Sequence, residues 1–164
     1  MTNRLHHMAF RCRDTEETRA FYEEVIGLEL AGALAIEETA TGRPVRLLHS
    51  FFRLRDGSMV AFFEVPDAPF DFRPQHDFDL HLALDAEPQD VVRANAAAAA
   101  RGIEVRGPSD HGFIRSTYYR DPNGYVVELA VKTAGHGDFE REGPASARRV
   151  LAEWSRRKAE PADA

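Results

Sequence analysis

Apolar residues recur at two spacings along this chain, and the order in which the spacings follow one another repeats. Residues 5–12 (LHHMAFRC) read as a strand. Residues 14–27 switch to helical spacing: Asp14 with Glu16 and Glu17 opens the helix, Ala20, Phe21 and Val25 form its apolar face, and Gly27 stops it. Residues 28–36 and 45–54 read as strands, and Arg55-Asp56-Gly57-Ser58 as the hairpin turn before a further strand at 59–65. Residues 66–77 (PDAPFDFRPQHD) break the pattern and read as a linker or a loop over a pocket. Then the order returns. A strand is expected at 78–84, an Ala-rich helix at 87–101 stopped by Gly102, and a short strand at 103–106. A strand at 113–120, the turn Asp121-Pro122-Asn123-Gly124 and a last strand at 125–131 complete the second unit. Two successive βαβββ units are an internal repeat.

The fold class expected is therefore α+β: two tandem βαβββ modules, at about 5–66 and 78–132, in one domain over 1–132. Residues 133–164 follow as a separate tail, loop-like over 133–143 and then an amphipathic helix at 145–158 with Val150, Leu151 and Trp154 on one face. The net charge of −6 argues against a nucleic-acid or anionic-membrane surface. No apolar run approaches the roughly 20 residues of a membrane span, and the N-terminus lacks a signal-peptide core. The one cysteine, Cys12, has no partner for an internal disulfide. These features lead us to expect a cytoplasmic protein.

The last strand (YVVELAV) is apolar apart from Glu128, and an unpaired buried carboxylate costs several kcal/mol or more. The first strands of the two units match as His7-Met8-Ala9-Phe10 and His81-Leu82-Ala83-Leu84. Their last strands each hold a single carboxylate, Glu64 and Glu128. A lone strand histidine is usually a core or edge residue, and a lone strand glutamate usually faces water. Four such residues in repeated register point instead to one shared metal site. Two imidazoles with one or two carboxylates suit a divalent metal such as Fe(II), Mn, Co, Ni or Zn.

Three stretches carry a resemblance to a known family: HHMAFRCRDTEETRAFYEEVIGLEL, FDLHLALD and YYRDPNGYVVEL. They resemble the vicinal oxygen chelate superfamily, the glyoxalase, bleomycin-resistance and extradiol-dioxygenase group, from about residue 5 to 131. The resemblance implies paired modules curled into a curved, cup-shaped mixed sheet around a metal with open positions. It implies His7, His81 and Glu128 as the two-histidine, one-carboxylate set of the extradiol dioxygenases. It implies Glu64 as the extra carboxylate, ligand and base, of glyoxalase-I-type isomerases. The stretch DHGFIRSTYYRDPNGYVVE is similar to the extradiol signature, with a histidine before a tyrosine that lies ten residues ahead of the metal glutamate. That implies His111 as acid/base and Tyr118 as a hydrogen-bond partner of the substrate. Thr117 departs from the signature, which has an aliphatic residue there.

The leading expectation is a small extradiol-type Fe(II) dioxygenase acting on a catechol-like, aromatic small molecule. The alternatives are a glyoxalase-I-like isomerase or lyase using Glu64 with Ni, Zn, Mn or Co, and a metal-poor binding or resistance protein. His49, His76, Arg115 and Arg120 are candidate anchors for a substrate anion, with surface pairing the plainer reading of each. A homodimer is expected, because small members of the family often build the cup from modules of two chains. Whether one chain or two supply the ligands stays open at this stage.

Overall fold

The computed structural model describes residues 4–68, 70–72, 76 and 78–158, so part of the expected linker at 66–77 lies outside the described residues. The first module runs β1 (His7–Arg11), α1 (Thr15–Arg19), a π-helical segment (Ala20–Ile26), β2 (Glu29–Glu38), β3 (Pro44–Arg53) and β4 (Met59–Glu64). The second runs β5 (His81–Asp85), α2 (Pro88–Ala100), β6 (Val105–Asp110), β7 (Ile114–Arg120) and β8 (Val126–Lys132), and α3 (His136–Arg157) follows. Each module forms a four-stranded mixed sheet, in the orders β1-β4-β3-β2 and β5-β8-β7-β6. The first strand of each pairs in parallel with the last, and the other pairings are antiparallel. The repeat expected from the sequence is therefore the repeat of the fold.

Local chemistry sets the helices. Asp14 caps α1 by accepting from the Glu17 N–H at 2.8 Å. The helix widens after Arg19, and the Gly27 and Leu28 N–H groups both reach the Tyr22 carbonyl before Gly27 ends it at φ 87°. In α2, Glu87 and Asp90 form a reciprocal capping box beside Pro88. Ala94 and Ala98 are fully buried there, which lets α2 lie close to the π-helical segment.

One core joins the modules. It takes Phe52, Val60 and Phe62 from the first sheet, Leu84, Tyr119, Val127 and Leu129 from the second, and Tyr22, Val25, Ala94 and Ala98 from the helices. Strand alternation then fixes the other faces. His7, Ala9 and Ala61 lie on the side of the first sheet away from this core, and His81, Ala83 and Glu128 on the side of the second sheet away from it.

A buried polar knot ties the modules near the 121–124 turn. The Asp121 carboxylate accepts the Asn123 and Tyr125 N–H groups, the Asn123 side-chain amide and the Tyr22 hydroxyl. Asn123 in turn accepts the Arg13 N–H at 2.8 Å and donates to Thr18. Burial pushes the Asp121 carboxyl from its ordinary 3.8 up to about 6, against the lowering effect of its hydrogen bonds. The folded chain therefore holds this proton more tightly than the unfolded chain. Its contribution to stability is largest below about pH 4 and is lost as the pH rises through about 6. Thermal melts from pH 4 to 7 should show this slope in the wild type and not in Asp121→Asn. A wild-type-minus-variant difference independent of pH counts against it.

Two expectations change in the structure. β6 extends to Asp110, because a register shift between Arg106 and Ser109 accommodates Gly107-Pro108. α3 begins at His136 rather than 145, inside the stretch expected to be a loop. Gly137, Gly143 and Pro144 mask the helical pattern there, and tertiary contact supplies the start: Phe139 stacks on Phe113 with ring centroids 4.0 Å apart, and the Thr133 N–H reaches the Phe113 carbonyl. No helix among the described residues is long and apolar enough to cross a membrane.

Candidate metal site

Glu128 sits in the middle of β8 and is only 4% exposed. Its carboxylate is divided between two partners. Oε1 accepts the Ser116 hydroxyl at 2.5 Å, and Oε2 lies 3.2 Å from His81 Nε2. The register makes this pairing: His81 stands beside Val126 and Ala83 beside Glu128, so the imidazole and the carboxylate share one face two residues apart. A carboxylate oxygen and an imidazole nitrogen held this close are two of the donors that a first-row divalent metal takes. Ser116, fully buried on the neighbouring strand, fixes which oxygen is left for that role. The alternation of Ser116 with Tyr118 was the sequence signal for it, and a serine alone was too common to single out. Ser116→Ala should weaken metal affinity about 10- to 100-fold with the fold intact. Metal titration by calorimetry checks this, and an unchanged affinity would show that Ser116 does not orient the carboxylate.

The remaining expected ligands are not brought to this pair. His7 lies at the exposed edge of the other sheet, its Nδ1 2.7 Å from His6 Nδ1 and its ring 6.1 Å from His49 and 5.9 Å from Phe51. Glu64 does not occupy the place of Glu128. His7 pairs with Met59 and Ala9 with Ala61, so Ala61 is the residue that corresponds to Glu128. Glu64 lies three positions further on and therefore on the opposite face. There its Oε2 accepts the Thr15 N–H at 2.7 Å and helps to cap α1. The sequence alignment of the two carboxylates was off by three because each was the one acid in an apolar run. Among the described residues no three His, Cys, Asp or Glu side chains converge to hold a metal ion.

Beside Glu128, the cross-strand partner on β7 is Tyr118, which puts its ring on the same face. His111 Nε2 is 3.0 Å from the Tyr118 hydroxyl, and the Arg106 guanidinium stands 5.2 Å over the Tyr118 ring. The two residues of the extradiol-like stretch are thus in contact with each other, next to the His81–Glu128 pair. On the first sheet, His49 is buried, stacks on Phe63 at 3.7 Å and binds the Phe62 carbonyl through Nδ1. Arg115 is turned toward Asp110 at 3.7 Å, and the His76 ring lies tilted against Phe78 with centroids 4.4 Å apart.

Comparison with known proteins agrees with this architecture. The family model of the Glyoxalase/Bleomycin resistance protein/Dioxygenase superfamily matches residues 4–129. No curated protein matches the chain. Among solved structures, a glyoxylase/bleomycin resistance protein/dioxygenase domain from Frankia sp. EAN1pec superposes with a TM-score of 0.64 at 17% identity, over 81% of this chain and 100% of that one. A mutant of the fosfomycin resistance protein FosX from Listeria monocytogenes, complexed with Mn(II) and 1S,2S-dihydroxypropylphosphonic acid, gives 0.59 at 20% identity, over 83% and 98%. A glyoxalase/dioxygenase from Nostoc punctiforme gives 0.58 at 27% identity, over 79% and 91%.

Proposed function

The chain belongs to the Glyoxalase/Bleomycin resistance protein/Dioxygenase superfamily, and from that premise we propose that it is a divalent-metal enzyme whose site is completed by a second copy of itself. The carrying observation is the placement of the donors. His81 and Glu128 are a preformed pair on one sheet, while His7 lies on the other, and both faces look away from the single core between them. Bringing these two faces together within one chain would require pulling apart the core that both sheets share. A second copy, presenting its β1 to the β5–β8 face, supplies His7 as third ligand.

The finer reading is an extradiol-type dioxygenase of a catechol-like diol, with Fe(II) as the metal. His7, His81 and Glu128 would hold the metal, which would supply Lewis acidity toward the oxygens of a bound diol. Around it, Ser116 holds the carboxylate in place, and the His111–Tyr118 pair takes and returns the proton of a substrate hydroxyl at Tyr118 Oη. The copy that brings His7 brings His49, Phe51 and Phe63 on the same face, which gives an aromatic wall suited to a ring. Glu64 faces the opposite side of its sheet, so isomerase chemistry based on Glu64 loses its base. One observation favours a second reading: the FosX structure carries Mn(II) with a phosphonate that is itself a 1,2-diol, so a Mn(II)-dependent reaction on a small anionic substrate fits the same donors.

Anaerobic reconstitution with Fe(II) or Mn(II), followed by oxygen uptake with a panel of catechols, tests this. We expect uptake that requires Fe(II) and consumes about one O2 per catechol cleaved, both atoms entering the product. Tight metal binding with no oxygen uptake by any catechol would replace the dioxygenase reading with the Mn(II) one.

A further inference from the structure

After its anchored first turn, α3 leaves the body of the protein. None of its residues is buried, although Phe139, Val150, Leu151 and Trp154 are all large and apolar, and Trp154 is 60% exposed. Val150, Leu151 and Trp154 fall on one stripe at helical spacing. These four side chains leave of the order of 400 Å² of apolar surface open, about half of what one partner gives to a standard interface. The root of the helix indicates what covers it. Thr133 holds Gly112 and Phe113, next to His111, at the edge of the face where the second copy must sit.

The second copy has a matching surface. With its β1 against the His81–Glu128 face, the order β1-β4-β3-β2 puts β2 about 14 Å further out, within reach of a 22-residue helix about 33 Å long. On β2, Leu34 pairs with His49, so it stands on the same face as His7 and is 56% exposed. Glu37 and Glu38 follow at the end of that strand. Arg148 borders the apolar stripe of α3, while Arg149 stands on the far side of the helix. Among the described residues neither these arginines nor these glutamates make an ion pair, whereas Arg156 and Arg157 are engaged with Glu153.

We propose that α3 is a clasp on a second copy of this chain: its Val150–Leu151–Trp154 stripe docks beside Leu34 of the other copy, with Arg148 against Glu37 and Glu38. The clasp rests on the two-chain reading of the metal site and adds a contact that the site itself does not need. Its charge pairs set register while its apolar stripe supplies affinity.

Trp154 is the one tryptophan in the chain, so indole fluorescence reports this contact directly. The full-length protein is diluted while mass is followed by sedimentation and the indole by emission wavelength and acrylamide quenching. The expected result is a two-chain species with a blue-shifted, quencher-protected indole, both signals reverting together on dilution. Leu34→Glu should expose the indole at concentrations where the wild type protects it. Arg148→Glu should raise the dissociation constant about tenfold, Arg149→Glu should leave it near the wild-type value, and adding Glu37→Arg with Glu38→Arg to Arg148→Glu should restore it. All these positions are exposed, so the substitutions spare the core. A two-chain species whose indole quenches like free tryptophan overturns the clasp, as does a single-chain species at every concentration or a charge reversal that fails to rescue. Because metal binding by mixed His7 and His81 variants is a separate measurement, a failed clasp and a failed shared site give different results.

Discussion

Two inactive chains should make an active site when mixed. His7→Ala and His81→Ala are each expected to lose metal affinity by more than about 100-fold, beyond what the loss of an orienting partner costs. Co-expressed with different tags, they should recover about a quarter of the wild-type metal sites. Random pairing makes about half of the dimers mixed, and each mixed dimer has one complete site, built from His7 of one chain with His81 and Glu128 of the other. A site within one chain would give none. Both histidines are exposed in the single chain, so alanine at either position leaves the shared core of Phe62, Val127 and their neighbours untouched. Calorimetric metal titration of the unfractionated mixture measures the outcome, and the mixed dimer purified through both tags should hold about half of the wild-type sites. Complete loss in the mixture would place all ligands in one chain, and unchanged binding by either single variant would remove that histidine from the site.

The sequence carried most of the fold because its signals are local. Strand alternation, the Asp14 cap, the Ala-rich stretch of α2 and the 121–124 turn each fix an element within a few residues. The register of His7 with Ala9, and of His81 with Ala83, was readable for the same reason. What failed was longer in range. Glu64 and Glu128 looked equivalent as single acids in apolar strands, but equivalence is decided by which residue lies beside Ala9 and Ala83, a property of the β1–β4 and β5–β8 pairings. The early start of α3 depends on Phe113, more than twenty residues before Phe139, so no local window contains it. The separation of His7 from His81 follows from both modules burying the opposite faces of their sheets in one core. No pattern within either module encodes that choice.

His111 and Tyr118 should act as one unit. His111→Ala is expected to lower kcat about 10²- to 10⁴-fold, the range for a positioned acid/base, with metal affinity unchanged. On the proposed reading, the hydrogen bond between His111 Nε2 and the Tyr118 hydroxyl would give the substrate proton one route through both groups. Tyr118→Phe keeps the ring under Arg106 and removes only that link, so its loss in kcat should be of the same order. The double variant should then be little worse than either single one, since removing a second member of a broken relay costs nothing further. A role limited to binding would raise KM instead, and two independent contributions would multiply. Steady-state kinetics of the three variants at fixed metal occupancy separates these cases. A merely structural Tyr118 would lower thermal stability in Tyr118→Phe while leaving the kcat of His111→Ala at the wild-type value.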